Sequence, residues 1–144
     1  MVETLSKKQV AEFQNSMSYG RRYELVTDFP NVGGAIWSIR KGQHWPERIL
    51  HPGNYLYVLL PDGEIRIPHL PHTSLDMHHP ELAKRNPVIG AGVLGWNSGN
   101  VIFIDNKSGC YTPDAFSLAY VKQALQFWGV PLSSNLILDE FEHY

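Results

Sequence analysis

The chain of 144 residues is poor in several features that define broad classes of protein. It has a single cysteine, so no internal disulfide framework is expected. No apolar run approaches the roughly 18 residues that a membrane span needs, and the N-terminal sequence lacks the apolar core of a signal peptide. Charged residues make up only 18%, with a formal net charge of −2, which does not favour binding to duplex DNA. These absences predict a soluble domain of a reducing compartment, with neither a membrane nor duplex DNA as its partner.

The apolar content is sufficient for one core. Apolar residues make up 43% of the chain, and this length predicts a single domain over residues 1–144. Apolar residues at helical spacing predict an N-terminal helix over residues 7–18, and a strand is predicted over 35–40. Two further strands, 54–60 and 64–68, flank a tight turn at Pro61-Asp62-Gly63 and predict a β-hairpin, with the first strand buried on both faces.

The second half of the chain alternates strands with one long helix. Strands are predicted over 88–94 and 101–104, and a last strand over 135–141. Between them Thr112 is placed to cap a helix and Pro113 to occupy its first position, with Gly129 at its end. The fold class expected is α+β, with a mostly antiparallel twisted sheet and the long helix followed by the last strand.

Polar and reactive residues are concentrated between positions 69 and 113. Four of the seven histidines lie at 69, 72, 78 and 79. A segment of small residues, 87–92, follows them, and the loop at 105–113 carries Ser108, Gly109, Cys110 and Tyr111. A high density of titratable and glycine positions in one stretch indicates a functional site.

Two motifs in this stretch resemble a known module. HHPELAKRNPVIGAG at 78–92 is similar to the form HHSSFLAGGPVAAAGE, and SGCYTP at 108–113 is similar to SGHYKP at about the usual distance. The resemblance covers roughly residues 50–135. The chain departs from the usual form at Pro80-Glu81, at Val93 in place of an acid, and at Cys110 in place of histidine.

The module occurs in plant IQ-motif calmodulin-binding proteins, in bacterial secreted effectors and at the toxin ends of polymorphic toxins. No IQ segment is visible in this chain, so the resemblance implies the effector or toxin class. It further implies synthesis in a bacterial cytoplasm and delivery into a target cell by a specialised secretion system. The expected partners are a target-cell protein or nucleotide and a cognate immunity protein.

The leading interpretation of the chemistry is ADP-ribosyltransferase-like transfer with NAD as the cofactor. Such sites hold the ribose with His or Arg, stack an aromatic on the nicotinamide and stabilise an oxocarbenium-like centre with a carboxylate. His79, Tyr111 and a late acid, either Glu140 or Glu142, match those residue types.

Several alternatives stay open. Paired histidines also suit a ribonuclease, in which one acts as general base and the other as general acid. His69 and His72, with His78 or His79, could form a zinc site, although their spacing fits no standard one and no metal is expected. Cys110 could act as a thiol nucleophile. A non-catalytic protein-binding module, of effector or immunity type, is the alternative from outside enzymology.

The site expected under the leading interpretation lies between the histidine-rich loop and the second helix. His78, His79 and Tyr111 are its predicted catalytic residues. Its predicted substrate-binding residues are His72, Asp105, Asn106, Ser108 and Gly109.

Overall fold

A computed structural model provides the fold of the central and C-terminal parts of the chain. The predicted helix over 7–18, together with His72, His78 and Cys110, lies outside the described residues. Those residues are 24–26, 36–39, 52–61, 63–68, 79–84, 87–109 and 111–142.

One sheet of seven strands organises the described residues. Its strands are β1 (Glu24–Val26), β2 (Ile36–Ile39), β3 (Gly53–Leu59), β4 (Ile65–Pro68), β5 (Gly90–Asn97), β6 (Asn100–Asp105) and β7 (Leu132–Asp139). Their spatial order is β1-β2-β4-β3-β5-β6-β7. Neighbouring strands run antiparallel except for β6 and β7, which run parallel. The α+β class and the mostly antiparallel sheet are confirmed, and β1 is a strand that the sequence pattern did not predict.

The central strand β3 separates two hydrophobic cores. Tyr55, Tyr57 and Leu59 belong to the core packed under the long helix α2 (Ser117–Phe127). Leu56, Val58 and Leu60 alternate with them and belong to a smaller core on the opposite face. Successive side chains of a strand point to opposite faces, so burial of every residue from 55 to 60 confirms the prediction of a strand covered on both sides.

The parallel strands β6 and β7 form a β–α–β unit with α2. Parallel neighbours need a long crossover between them, and α2 supplies it. The helix begins later than predicted, at Ser117, because Thr112 adopts a left-handed φ of 45° and donates its N–H to the Ser108 carbonyl at 2.8 Å. The prediction that Thr112 caps the helix is therefore wrong.

The end of α2 lies where the sequence predicted it. Gly129 has a φ of 76° and donates its N–H to Gln126, while Val130 donates to Leu125. These two bonds form a Schellman motif, which satisfies carbonyl groups that the helix end would otherwise leave open. Neither helix in the described part of the chain is long and apolar enough to cross a membrane.

A short helix, α1 (His79–Leu82), lies in the segment that the sequence pattern predicts to be a loop. It is tied to the sheet through Arg66 of β4. The Arg66 guanidinium donates to the Leu82 carbonyl at 3.2 Å and pairs with the buried Glu64 carboxylate at 2.7 Å. A charged pair held by hydrogen bonds fixes orientation as well as position, so α1 presents His79 to the sheet in a defined place.

The helix end gives a test of the fold. Gly129→Ala forces a side chain into the left-handed region and should lower the free energy of unfolding by about 1–2 kcal/mol. Gly129→Asn should cost less, because asparagine tolerates that region better than alanine. Urea unfolding followed by circular dichroism measures both changes. Equal stability of wild type and Gly129→Ala would contradict the described helix end.

Candidate functional site

The described residues of the predicted site are brought together around the end of β6. Asp105 ends that strand and Asn106 follows it, while Tyr111 packs in the smaller core beside Leu82 and Ala83 of the α1 segment. Side chains that the sequence separates by more than twenty positions thus share one region. The buried members of the predicted site are His79, Asp105, Asn106, Ser108 and Tyr111, and Gly109 is exposed.

A close backbone contact between β5 and β6 lies at the centre of this region. A Cβ atom placed on Gly92 would lie 2.1 Å from the carbonyl oxygen of Asp105. No real side chain tolerates such a distance to backbone, so only glycine fits at position 92. The absence of a Cβ atom lets the end of β6 fold against β5.

One peptide group links a histidine to a carboxylate. The His79 Nε2 lies 2.8 Å from the Gly92 carbonyl oxygen, and the next N–H, that of Val93, donates to Asp105 Oδ1 at 2.8 Å. A carbonyl oxygen only accepts, so Nε2 carries the hydrogen in this contact. Because Val93 contributes its backbone, this link does not require the acid that the resembling module has at that position.

The carboxylate of Asp105 is bonded on one oxygen. Oδ1 also accepts the N–H of Lys107 at 3.0 Å, whereas Oδ2 accepts no hydrogen bond from any described residue. Asp105 is 4% exposed. Oδ2 is not among the buried atoms that lack a partner, so water or a ligand can reach it.

Tyr57 of β3 reaches the same point from the main core. Its hydroxyl donates to the Asp105 carbonyl at 2.7 Å. Burial raises the pKa of Tyr57 well above its ordinary value of 10.0, and the nearby Asp105 charge raises it further. The neutral phenol is therefore the form that the fold holds, and it acts as a hydrogen-bond donor across the physiological pH range.

The Asn106 side chain hydrogen-bonds to two segments that are distant in sequence from each other. Its Nδ2 donates to the carbonyls of Pro113 at 3.0 Å and Phe141 at 2.8 Å, and its Oδ1 accepts the Phe141 N–H at 2.7 Å. The amide thus pairs with the Phe141 backbone as a neighbouring strand would. It holds the loop after β6 against the segment that follows β7.

The described residues between Asn106 and α2 make local hydrogen bonds, and one of them has a strained backbone. Ser108 Oγ accepts the Tyr111 N–H at 3.3 Å, and the loop then turns through Thr112 with its positive φ. A β-branched residue in the left-handed region is a genuine outlier, of a kind that clusters at functional sites. A Cβ atom placed on Gly109 would have nothing within 4 Å, so this glycine meets no such steric demand.

A groove of about 410 Å³ lies beside this loop, at the carboxyl ends of the two parallel strands. Ligands of sheets with parallel strands commonly bind outside the carboxyl ends of those strands. Phe116 is 80% exposed at its rim, and Phe141 is 40% exposed. The residues that line the groove are Thr112, Pro113, Asp114, Ala115, Phe116, Phe141 and Glu142.

The sequence patterns did not predict the groove, apart from Glu142, which matched the late acid of the transferase interpretation. Strand, helix and strand in succession could have indicated a parallel unit with a ligand-binding end. Nothing in the sequence indicates that Phe116 is exposed, because a phenylalanine beside a helix is usually buried.

Metal binding receives no support from the described part of the chain. Within it, no three His, Cys, Asp or Glu side chains meet in a group that could hold an ion. Of the histidines considered for zinc, His69, His72 and His78 lie outside the described residues, whereas His79 lies within them.

The close contact at Gly92 is testable with a matched glycine. Gly92→Ala should lower the free energy of unfolding by about 3 kcal/mol, because the Asp105 backbone leaves the new methyl no space. Gly109→Ala should stay within about 0.5 kcal/mol of wild type, as expected for an open surface position. Urea unfolding measures both, and similar losses in the two variants would disprove the close approach of β5 and β6.

Burial of Tyr57 predicts a loss of stability in alkali. Because burial raises the pKa of Tyr57, the folded chain holds the phenolic proton more tightly than the unfolded chain does. The stability that this proton contributes is therefore fully present below pH 10 and is lost as the pH rises above that value. Tyr57→Phe should lower stability at neutral pH by about 1 kcal/mol and reduce the alkaline loss. Unfolding in urea from pH 7 upward measures the slope. Tyr120→Phe, at a half-buried position of α2, is the control. If Tyr57→Phe left the slope of stability against pH unchanged, the prediction would be contradicted.

No protein-family model, curated protein or solved structure matches the chain. The geometry of the groove and of the hydrogen-bond network behind it is therefore the basis for inferring function.

Proposed function

We propose that this chain is an effector- or toxin-type domain that binds a segment of a partner protein in the groove formed by residues 112–116 and 141–142. The effector class rests on the sequence resemblance. The binding mode rests on one observation, the groove of about 410 Å³ with Phe116 80% exposed at its rim. An exposed aromatic beside a concave surface is typical of a protein-recognition site.

The hydrogen-bond network behind the groove supports this proposal. Asn106 ties Pro113 and Phe141 to one another, and both residues line the groove. A surface held by a buried and well-bonded side chain is preorganised, which lowers the entropic cost of binding. In this proposal Asn106 and Ser108 shape the groove from behind and do not themselves contact the partner.

ADP-ribosyltransferase-like transfer with NAD is the second candidate, and a specific observation favours it. Asp105 Oδ2 accepts no hydrogen bond from a described residue, and Oδ1 is linked through one peptide group to the His79 imidazole. A ligand hydroxyl, such as that of a ribose, would satisfy Oδ2. In this candidate His79 and Tyr111 keep the catalytic roles expected from the sequence, and His78 would join them.

The binding proposal predicts a strong dependence on Phe116. Peptides selected from a random display library against the wild-type chain should bind Phe116→Ser at least about tenfold more weakly, as for loss of a central aromatic contact. Fluorescence anisotropy with the selected peptides measures the affinity. Phe116 is already exposed, so this variant should keep the wild-type fold.

Phe127→Ser is the matched control for this experiment. Phe127 is also an exposed phenylalanine, but it lies at the opposite end of α2 and does not line the groove. Binding should survive in this variant. A selection that enriches no peptide, or peptides that bind both variants equally, would refute the proposal. Consumption of NAD by the wild type but not by His79→Ala would favour the transferase instead.

A further inference from the structure

We infer that the groove recognises a positively charged side chain, an arginine or lysine, carried by the partner segment. This inference rests on the proposed function and specifies its ligand chemistry. The groove combines two aromatic rings, Phe116 and Phe141, with two carboxylates, Asp114 and Glu142. Aromatic faces and carboxylates together are the groups that recognise a guanidinium or an ammonium ion.

The N-terminus of α2 borders the groove, and it is not available to an anion. Helix N-termini bind phosphate through N–H groups that lack partners. Here the Phe116 N–H already donates to Asp114 Oδ1 at 2.9 Å, and the Ser117 N–H donates to the Asp114 carbonyl at 3.1 Å. The next two N–H groups, of Leu118 and Ala119, donate to Ala115 and Phe116. A phosphate would find no open donor there and would face the Asp114 carboxylate.

The chain's own Lys107 uses the same combination of groups beside the groove. Its Nζ lies 5.4 Å from the centroid of the Phe141 ring and 3.7 Å from Asp139 Oδ2. An aromatic face and a carboxylate thus already hold one cation next to the site. Asp114 is exposed, and its carboxylate makes no ion pair with a described residue, so its charge is open to a cationic partner.

The size of the groove also fits a side chain rather than a whole domain. A volume of about 410 Å³ lies near the lower end of the roughly 300–1,000 Å³ of small-ligand sites. Pro113 and Ala115 provide apolar wall for the methylene stem of a long basic residue, which buries its stem while its charged end reaches a carboxylate.

A pair of isosteric probes tests the charge requirement. Acetyl-arginine amide and acetyl-citrulline amide differ in charge but hardly in shape. Titrations followed by NMR should show the arginine probe shifting the backbone amides of 112, 114–116 and 141–142, with at least about tenfold higher affinity than the citrulline probe. Added salt should weaken binding of the arginine probe, since the charged groups of the groove are open to solvent.

The variant Asp114→Asn provides the matched control. Asparagine keeps the oxygen that accepts the Phe116 N–H, so the start of α2 should persist. The preference for arginine over citrulline should disappear in this variant while its unfolding curve stays close to wild type. Equal affinity of the two probes for the wild type, or no shifts at the groove with either, would overturn the inference.

The same probes separate this inference from the proposed function. If selected peptides bind the groove without any basic residue, partner binding stands and the charge inference fails. If the arginine probe binds the groove but no peptide is selected there, the groove is a site for small cations and partner binding fails. Selected peptides that carry an essential arginine or lysine, lost on substitution by citrulline or glutamine, would support both.

Discussion

The close approach of β5 and β6 at Gly92 is the contact on which the rest of the site depends. Without a Cβ atom at this position, the Asp105 carbonyl comes near enough for the Tyr57 hydroxyl to reach it across the sheet. The same approach brings Asp105 Oδ1 to the N–H of Val93. A glycine at one position thus permits Asp105 to be bonded from two other strands and, through Lys107, from the following loop.

Asn106 connects the contact at Gly92 to the groove at the surface. The end of β6 is fixed by Asp105, so the next side chain enters the interior and bonds the backbone of Pro113 and Phe141. Buried polar networks specify one geometry when their members are bonded, because any other arrangement leaves polar groups without partners. The walls of the groove consist of loop residues, but this network holds them in one geometry.

The two candidate functions assign different roles to the same buried groups. In the binding proposal, His79, Asp105 and Asn106 support a surface that they do not contact. In the transferase candidate, the unbonded oxygen of Asp105 and the neighbouring imidazole are themselves the site. The exposed Asp114 carboxylate would attract a cation, whereas the negatively charged pyrophosphate of NAD would meet it at the start of α2.

The sequence by itself determined the class of fold and several of its local features. The apolar run along 54–60 specifies a strand with two buried faces, and Gly129 specifies the helix end, because both depend on local pattern and backbone conformation. Only the tertiary structure decided that β7 pairs parallel with β6, that Gly92 touches Asp105, and that Phe116 is exposed beside a groove. Each of these depends on contacts between residues distant in sequence, and local patterns carry no information about which distant groups meet.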